Sequence, residues 1–261
     1  MKIALVSLNQ QWEDKSTNLV TCEALIEKAR AFQTDLVIFP EMTLTGFSMN
    51  TAKTAELPST SQSVAAFRAL ARSYGLGIIA GVVFNKGKKS GNCAIFINRT
   101  GEIIGTYQKV HPFSFSGEDK FFDAGQEITR VDFESLVVGL TICYDLRFPE
   151  LYSALGAGSD LIVNIANWPT KRLDHWNTLL RARAIENQIF IVGVNRTGKD
   201  MNGLEYVQSS VIINSNGEVL KPFFSEGVLD IFDVDTDFTK VLKQNFSCTK
   251  DRNLDFYKSI L

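Results

Sequence analysis

Val137-Val138-Gly139-Leu140-Thr141-Ile142-Cys143-Tyr144-Asp145-Leu146-Arg147-Phe148-Pro149-Glu150 decides the reading of this chain. The apolar, β-branched residues up to Ile142 read as a buried strand. The run stops at Cys143, and a helical pattern follows over residues 148–155. A thiol at the carboxyl end of a strand lies where open α/β sheets bind ligands. A nearby helix N-terminus and any adjacent cation would favour thiolate over thiol. The competing reading is a small core residue, because free cysteine is among the most buried residue types. This segment alone leaves both open.

Outward from it, strand-like and helix-like patterns alternate. Residues 3–7, 35–39, 76–84, 92–97, 102–109, 131–133, 161–164 and 190–194 read as strands. Residues 17–31, 63–74 and 174–187 have helical spacing; in the first, Leu19, Cys22, Leu25, Ile26 and Ala29 recur every three or four residues. Gly75 stands at a C-cap position. Residues 208–213, 217–219 and 227–233 read as an antiparallel finish, and residues 110–125 as a long loop of the kind that often carries function. With no repeat and no Pro/Ser-rich linker, the expectation is one layered α/β domain, helices outside and sheet inside.

Bulk properties narrow the function classes. The chain has 261 residues and a formal net charge of −2, without blocks of like charge, which argues against nucleic acid and anionic membrane as partners. No apolar run approaches the roughly 20 residues of a membrane span. The opening Met1-Lys2-Ile3-Ala4-Leu5-Val6 fits a first strand better than a signal peptide. The four cysteines, Cys22, Cys93, Cys143 and Cys248, are scattered and contain no C-x-x-C, so reduced thiols and a cytoplasmic setting are expected. With only His111 and His175 the chain has little to build a zinc site from, and no cofactor is called for.

Two further strands end in a reactive side chain. Leu36-Val37-Ile38-Phe39-Pro40 ends in Glu41, and Ile103-Ile104-Gly105-Thr106-Tyr107-Gln108 ends in Lys109. If these strands and the one before Cys143 are parallel neighbours, the three side chains converge at one sheet edge. Singly, each has an ordinary explanation: a solvated or capping glutamate, a surface lysine, a core cysteine. Together they make a coherent chemistry. Glu41 takes the thiol proton, the sulfur attacks a carbonyl or nitrile carbon, and Lys109 with a backbone N–H after Cys143 stabilises the oxyanion. Glu41 then protonates the leaving amine and later activates water against the thioester.

Phe39-Pro40-Glu41-Met42-Thr43-Leu44-Thr45-Gly46-Phe47, Tyr107-Gln108-Lys109-Val110-His111-Pro112-Phe113 and Ile142-Cys143-Tyr144-Asp145-Leu146-Arg147-Phe148-Pro149-Glu150 resemble, in order, the three signatures of the nitrilase superfamily of carbon–nitrogen hydrolases. The resemblance runs from the first strand to about Asp233. It implies a four-layer αββα sandwich and a Glu-Lys-Cys triad at Glu41, Lys109 and Cys143. Glu118, in Gly117-Glu118-Asp119-Lys120-Phe121-Phe122, matches a second glutamate that would orient Lys109 or assist proton transfer; the alternative is a loop carboxylate in an ion pair. The resemblance also implies a homodimer, in a single domain over residues 1–261 whose segment 234–261 is a C-terminal extension at the dimer interface.

Arg147 lies four residues after Cys143, where it could grip a substrate carboxylate or pair with Asp145 or Glu150. The segment Ile165-Ala166-Asn167-Trp168-Pro169 and the one beginning His175-Trp176 resemble the ω-amidase (2-oxoglutaramate amidase) branch. That branch hydrolyses the terminal amide of short 2-oxo dicarboxylate monoamides such as 2-oxoglutaramate and 2-oxosuccinamate. Trp168, Phe115 and Tyr144 are expected as substrate contacts, while Phe47 reads rather as core. His175 reads as a packing or interface residue, and a papain-like pairing of Cys143 with His111 is a minor alternative. The rival readings are the same mechanism on deaminated glutathione, an N-carbamoyl amino acid or another small amide; a silent scaffold; and a glutamine-amidotransferase half.

Overall fold

The computed structural model describes residues 1–260; the last residue of the expected domain, Leu261, lies outside the described residues. The strands are Lys2–Val6 (β1), Leu36–Ile38 (β2), Gly77–Asn85 (β3), Ser90–Ile97 (β4), Ile103–Gln108 (β5), Arg130–Phe133 (β6), Leu136–Ile142 (β7), Leu161–Ala166 (β8), Phe190–Asn195 (β9), Gly198–Lys199 (β10), Glu205–Tyr206 (β11), Val211–Ile213 (β12), Phe224–Glu226 (β13) and Leu229–Asp233 (β14). The helices are Lys15–Arg30 (α1), Thr51–Thr54 (α2), Gln62–Tyr74 (α3), Glu118–Phe121 (α4), Pro149–Gly156 (α5), Leu173–Asn187 (α6), Phe238–Asn245 (α7) and Leu254–Ile260 (α8).

Two sheets form. One has seven strands in the order β13-β14-β1-β2-β3-β4-β5, the other five in the order β12-β9-β8-β7-β6. The alternation of side chains along each strand then produces four layers. Ile3 and Leu5 of β1, Leu36 and Ile38 of β2, and Phe96 of β4 meet Val138 and Leu140 of β7 and Leu161, Val163 and Ile165 of β8 between the sheets. Ala4, Val6 and Val37 face the other way, onto Cys22, Ile26 and Ala29 of α1 and Val64 and Phe67 of α3. On the far side, Ile162 and Ile191 pack against Tyr152 and Leu155 of α5 and Trp176, Leu180 and Ala184 of α6. The result is an αββα sandwich, as expected.

Local chemistry sets the helix ends. The Asp14 carboxylate caps α1 by accepting from Thr17 N at 3.0 Å, and Ser61 Oγ caps α3 by accepting from Val64 N at 3.1 Å. Gly75 closes α3 at φ 63°, the left-handed C-cap its position suggested. The 110–125 segment is less irregular than its composition implies, because Ser114–Ser116 forms a 3-10 turn and Glu118–Phe121 forms α4.

The three reactive strand ends do not share one sheet edge. β2 and β5 belong to the seven-stranded sheet and are separated by β3 and β4, while β7 belongs to the other sheet. Convergence is achieved across the sandwich. Since β3 is antiparallel to β4 and β4 to β5, β5 runs in the same sense as β2, so both end at the same rim.

Two glycines let that rim close. A Cβ on Gly81 of β3 would stand 2.2 Å from Met42 N and 2.9 Å from Glu41 Cα, so only a bare backbone lets the Glu41 turn lie on β3. Gly125 likewise lies against Gln108 O, with 2.2 Å left for a Cβ. Gly81→Ala must push the Glu41 turn off the strand. We expect a loss of about 1–3 kcal/mol in urea-unfolding stability from overpacking, accompanied by a fall in activity; a variant of unchanged stability and activity contradicts this account.

Candidate active site

Glu41 is the third residue past β2 and Lys109 the first past β5, and both are buried, at 0% and 1% exposure. Lys109 Nζ lies 2.9 Å from Glu41 Oε1. It lies 2.9 Å from Oε2 of Glu118 at the start of α4, itself fully buried. Buried charge persists only when paired and hydrogen-bonded, and here each oxygen is accounted for. Asn92 Nδ2 of β4 donates to Glu41 Oε1 at 2.7 Å and to Glu118 Oε1 at 2.8 Å. Phe113 N donates to Glu118 Oε2 at 2.6 Å, and Asn167 N to Glu41 Oε2 at 2.9 Å. Burial alone would lower the Lys109 pKa. Glu118 and Glu41 reverse that and hold it well above the usual lysine range, so the ammonium is permanent.

Cys143 stands where β7 turns into the 3-10 segment Cys143–Arg147, at φ 48°. A left-handed conformation is uncommon for a residue with a Cβ and is characteristic of over-determined functional turns. The Sγ approaches Asn167 O at 3.9 Å and opens into a cavity of about 290 Å³. Tyr144 N, in the first turn of a helical segment, has no intrahelical acceptor by position, so it is available to an oxyanion beside the sulfur.

The sulfur is a thiol, not the thiolate that its place before a helical turn suggested. Burial pushes its pKa well above the ordinary 9.0, the charge of Glu41 pushes it further, and Lys109 opposes without prevailing. Two carboxylates and one ammonium leave the cluster net negative, which outweighs one short turn's dipole. A neighbouring base is therefore required, and Glu41 is the carboxylate whose charge acts more strongly on the sulfur.

The family model for carbon-nitrogen hydrolases matches residues 2–243. The chain belongs to the carbon-nitrogen hydrolase family. It is 35% identical over 99% of its length to the hydrolase in the agr operon of Staphylococcus aureus, covering 100% of that protein. It is 37% identical to omega-amidase YafV of Yersinia enterocolitica (84% of this chain, 83% of that one) and 35% identical to 2-oxoglutaramate amidase of Paenarthrobacter nicotinovorans (85% and 80%). A CN-hydrolase superfamily protein of Xanthomonas campestris, with an arsenic adduct in its active site, superposes with a TM-score of 0.89 at 31% identity, over 97% of both chains. This carbon-nitrogen hydrolase is thus an enzyme acting on amides.

The cavity rim sorts the remaining expected residues. Trp168, Tyr144 and Arg147 line it. Arg147 pairs with neither Asp145 nor Glu150; its Nη2 donates to His175 Nδ1 at 3.0 Å and its guanidinium lies 5.0 Å from the Trp168 ring centroid. His175 is thus a partner of Arg147, rather than simply a packing residue. Phe115 does not line the cavity. It is 86% exposed, because the 3-10 turn Ser114–Ser116 rotates it outward. Phe113, fixed by its N–H on Glu118, takes the place expected of Phe115. Phe47, partly buried, packs on the core residues Met42, Val83 and Phe122 and also lines the cavity, with Lys109 Nζ 5.3 Å from its ring centroid. His111 makes no papain-like pair. Its Nδ1 lies 2.8 Å from Asp145 Oδ1 and its ring stacks on Phe148 at 3.6 Å.

Asp145 was weighed only as a partner for Arg147, yet it ties two of the turns together. Fully buried, it accepts from Tyr107 OH at 2.8 Å, from His111 N at 3.0 Å and from Ile142 N at 3.0 Å. Tyr107 and His111 flank Lys109, so one carboxylate fixes the lysine turn to the cysteine turn. Gln10 acts similarly on the third, its Nε2 donating to Glu41 O and Met42 O, both at 2.9 Å. Arg172, Asp200 and Tyr206 complete the rim.

The thiol assignment has a measurable consequence. The folded state holds the Cys143 proton more tightly than the unfolded chain does. Its contribution to stability is therefore complete below the ordinary thiol value of 9.0 and is lost as pH rises beyond it. Thiolate absorbance, taken as the difference between wild type and Cys143→Ala, should show no ionisation of Cys143 at about pH 7; a thiolate signal there would refute it.

Proposed function

We propose that this carbon-nitrogen hydrolase is an ω-amidase: it hydrolyses the terminal amide of short 2-oxo dicarboxylate monoamides, 2-oxoglutaramate and 2-oxosuccinamate, through a Cys143 thioester. The observation that carries the reading is an unneutralised guanidinium, Arg147, on the wall of the cavity into which the thiol opens. Such a group grips a carboxylate through charge-assisted hydrogen bonds. Trp168, Tyr144 and Phe113 give the cavity flat apolar walls suited to a small planar anion. The names of the relatives support the same substrate class. An amidase of the same mechanism acting on deaminated glutathione, an N-carbamoyl amino acid or another small amide is the second reading, favoured by a second cation, Arg172, on the rim.

In the proposed cycle Glu41 removes the Cys143 proton as the sulfur attacks the amide carbon. The oxygen becomes an oxyanion, held by Lys109 Nζ and Tyr144 N–H. Glu41 passes its proton to the amide nitrogen, the C–N bond breaks and ammonia leaves, with the acyl group on sulfur. Glu41 then takes a proton from water, which attacks the thioester; the acid departs and the thiol regains its proton. Glu118 keeps Lys109 oriented throughout.

The enzyme is further proposed to be a cytoplasmic homodimer, a reading that its four free cysteines support. Residues 1–261 are taken as one domain whose C-terminal segment, from residue 234, lies at the dimer interface. That segment is anchored on the end of α6, where Arg252 Nη2 donates to Glu186 O at 3.1 Å. It exposes Phe246, Leu254, Phe256 and Ile260, more apolar surface than a solvated tail needs. Among the described residues no helix is long and apolar enough to cross a membrane.

Ammonia release from 2-oxoglutaramate, compared with deaminated glutathione and N-carbamoyl amino acids, tests the substrate. Efficient turnover of another amide with none of 2-oxoglutaramate would overturn the ω-amidase reading. Cys143→Ala should abolish turnover, and the acyl adduct seen by mass spectrometry, while leaving the circular dichroism spectrum unchanged. Arg147→Ala should weaken kcat/KM for acidic amides by about 1.5–3 kcal/mol, the worth of a hydrogen bond to a charged group; an equal loss on neutral amides would remove its carboxylate role.

A further inference from the structure

Asn92 is the side chain of this site that neither motif nor mechanism accounts for. It sits in β4, whose other residues beyond Ser90 are apolar or glycine, at 1% exposure. Its Nδ2 reaches two carboxylates at once, Glu41 Oε1 at 2.7 Å and Glu118 Oε1 at 2.8 Å. Among the described residues its Oδ1 has no hydrogen-bond partner. The orientation of the amide is therefore settled by chemistry: turned over, it would press an oxygen against two carboxylate oxygens and leave the nitrogen without an acceptor.

The consequence lies in which Glu41 oxygen can take a proton. Oε1 already accepts from Lys109 Nζ at 2.9 Å and from Asn92 Nδ2. Oε2 accepts from Asn167 N at 2.9 Å and only distantly, at 3.4 Å, from Asn167 Nδ2. The oxygen with spare acceptor capacity is Oε2, which is held by the residue whose carbonyl the Cys143 sulfur approaches. We infer that Asn92 is a positioning residue for proton transfer: it occupies Oε1 so that the proton of Cys143 goes to Oε2, and its two N–H donors hold the Glu41 and Glu118 carboxylates in fixed register with each other. The inference rests on Glu41 being the general base. The titratable groups around that carboxylate are Lys109, Glu118 and Cys143; a change at Asn92 also removes a donor from Glu118, while Lys109 keeps its bonds to both carboxylates and Cys143 its approach to Asn167 O.

The test uses Asn92→Leu, which keeps the branched skeleton and heavy-atom count and removes the donors, and Asn92→Asp, which keeps the shape and replaces the donor nitrogen by an oxygen. Thermal melts check folding. Two readouts are followed against pH: kcat/KM for 2-oxoglutaramate, and the rate of Cys143 alkylation by iodoacetamide, read on the Cys143 peptide by mass spectrometry. In the leucine variant kcat should drop about tenfold or more with KM little changed, and the acidic limb of both profiles should move up by about one pH unit, the scale of one lost hydrogen bond to a charged group. Asn92→Asp should be slower still. A folded variant with both limbs unmoved and kcat retained would overturn the role of Asn92. The general-base reading fails separately, if Glu41→Gln alkylates at the wild-type rate. The alkylation readout needs no substrate, so it decides the matter even if 2-oxoglutaramate is not turned over.

Discussion

The whole site depends on one buried ion cluster in which two carboxylates share one ammonium. Removing Glu41, Lys109 and Glu118 from water costs several kcal/mol per ion, and their mutual attraction offsets this only if the remaining acceptors are filled. The chain fills them with amides, not with further charges: Asn92 Nδ2, Asn167 N and Phe113 N each donate to a carboxylate oxygen. Neutral donors leave the net charge negative. Burial first, and that sign in addition, keep the proton on the sulfur at rest, and so make a base necessary instead of optional.

A cluster of this kind has to be assembled from segments remote in sequence, and its geometry must survive thermal motion. The sandwich supplies rigid strands; short tethers finish the work where the strands end. Asp145 ties the lysine turn to the cysteine turn, Gln10 holds the glutamate turn by its backbone, and Gly81 permits that turn to rest directly on β3. None of these groups reacts. Each converts the stiffness of a sheet into a fixed separation between reacting atoms, which is where proximity gains most of its effect.

How much of this was legible in the sequence follows from the same physics. Layering was legible, because alternation in β1, β2, β8 and β9 is a local pattern that survives into the fold. The placement of Glu41, Lys109 and Cys143 at strand ends was legible for the same reason. Their sheets were not: strand order is a non-local property, and a single shared edge was the simplest guess where the chain uses two sheets. Phe115 reads as a substrate contact yet points to solvent, and Phe47 reads as core yet also reaches the cavity, because residue type fixes hydrophobicity but not direction; one 3-10 turn decides which ring of Phe113 and Phe115 faces inward. Arg172 reaches the rim from the 3-10 turn Thr170–Arg172, Asp200 from the residue after β10 and Tyr206 from the two-residue strand β11, all segments without distinguishing composition. Asn92 did leave a trace, a polar residue inside an apolar strand, since such a residue persists in a core only with partners.

The division between floor and rim bears on how substrate choice is encoded. The floor is a closed set of bonds: altering any member unbalances buried charge, so there is little freedom to vary it. The rim is built from side chains with loose ends. The Arg147 guanidinium lies over Trp168 and leans on His175, and Arg172 lies 5.4 Å from the Phe113 ring centroid. Asp200 neutralises neither, because its carboxylate is occupied by Tyr206 OH and by the N–H groups of Asn202 and Leu204. Among the described residues, positive charge therefore faces the cavity without an internal counter-ion. Filling the cavity with a neutral acyl group would bury that charge unpaired, whereas an anionic one completes it. Discrimination among amides thus resides in the penalty that the rim imposes on the wrong substrate as much as in the bonds it offers the right one.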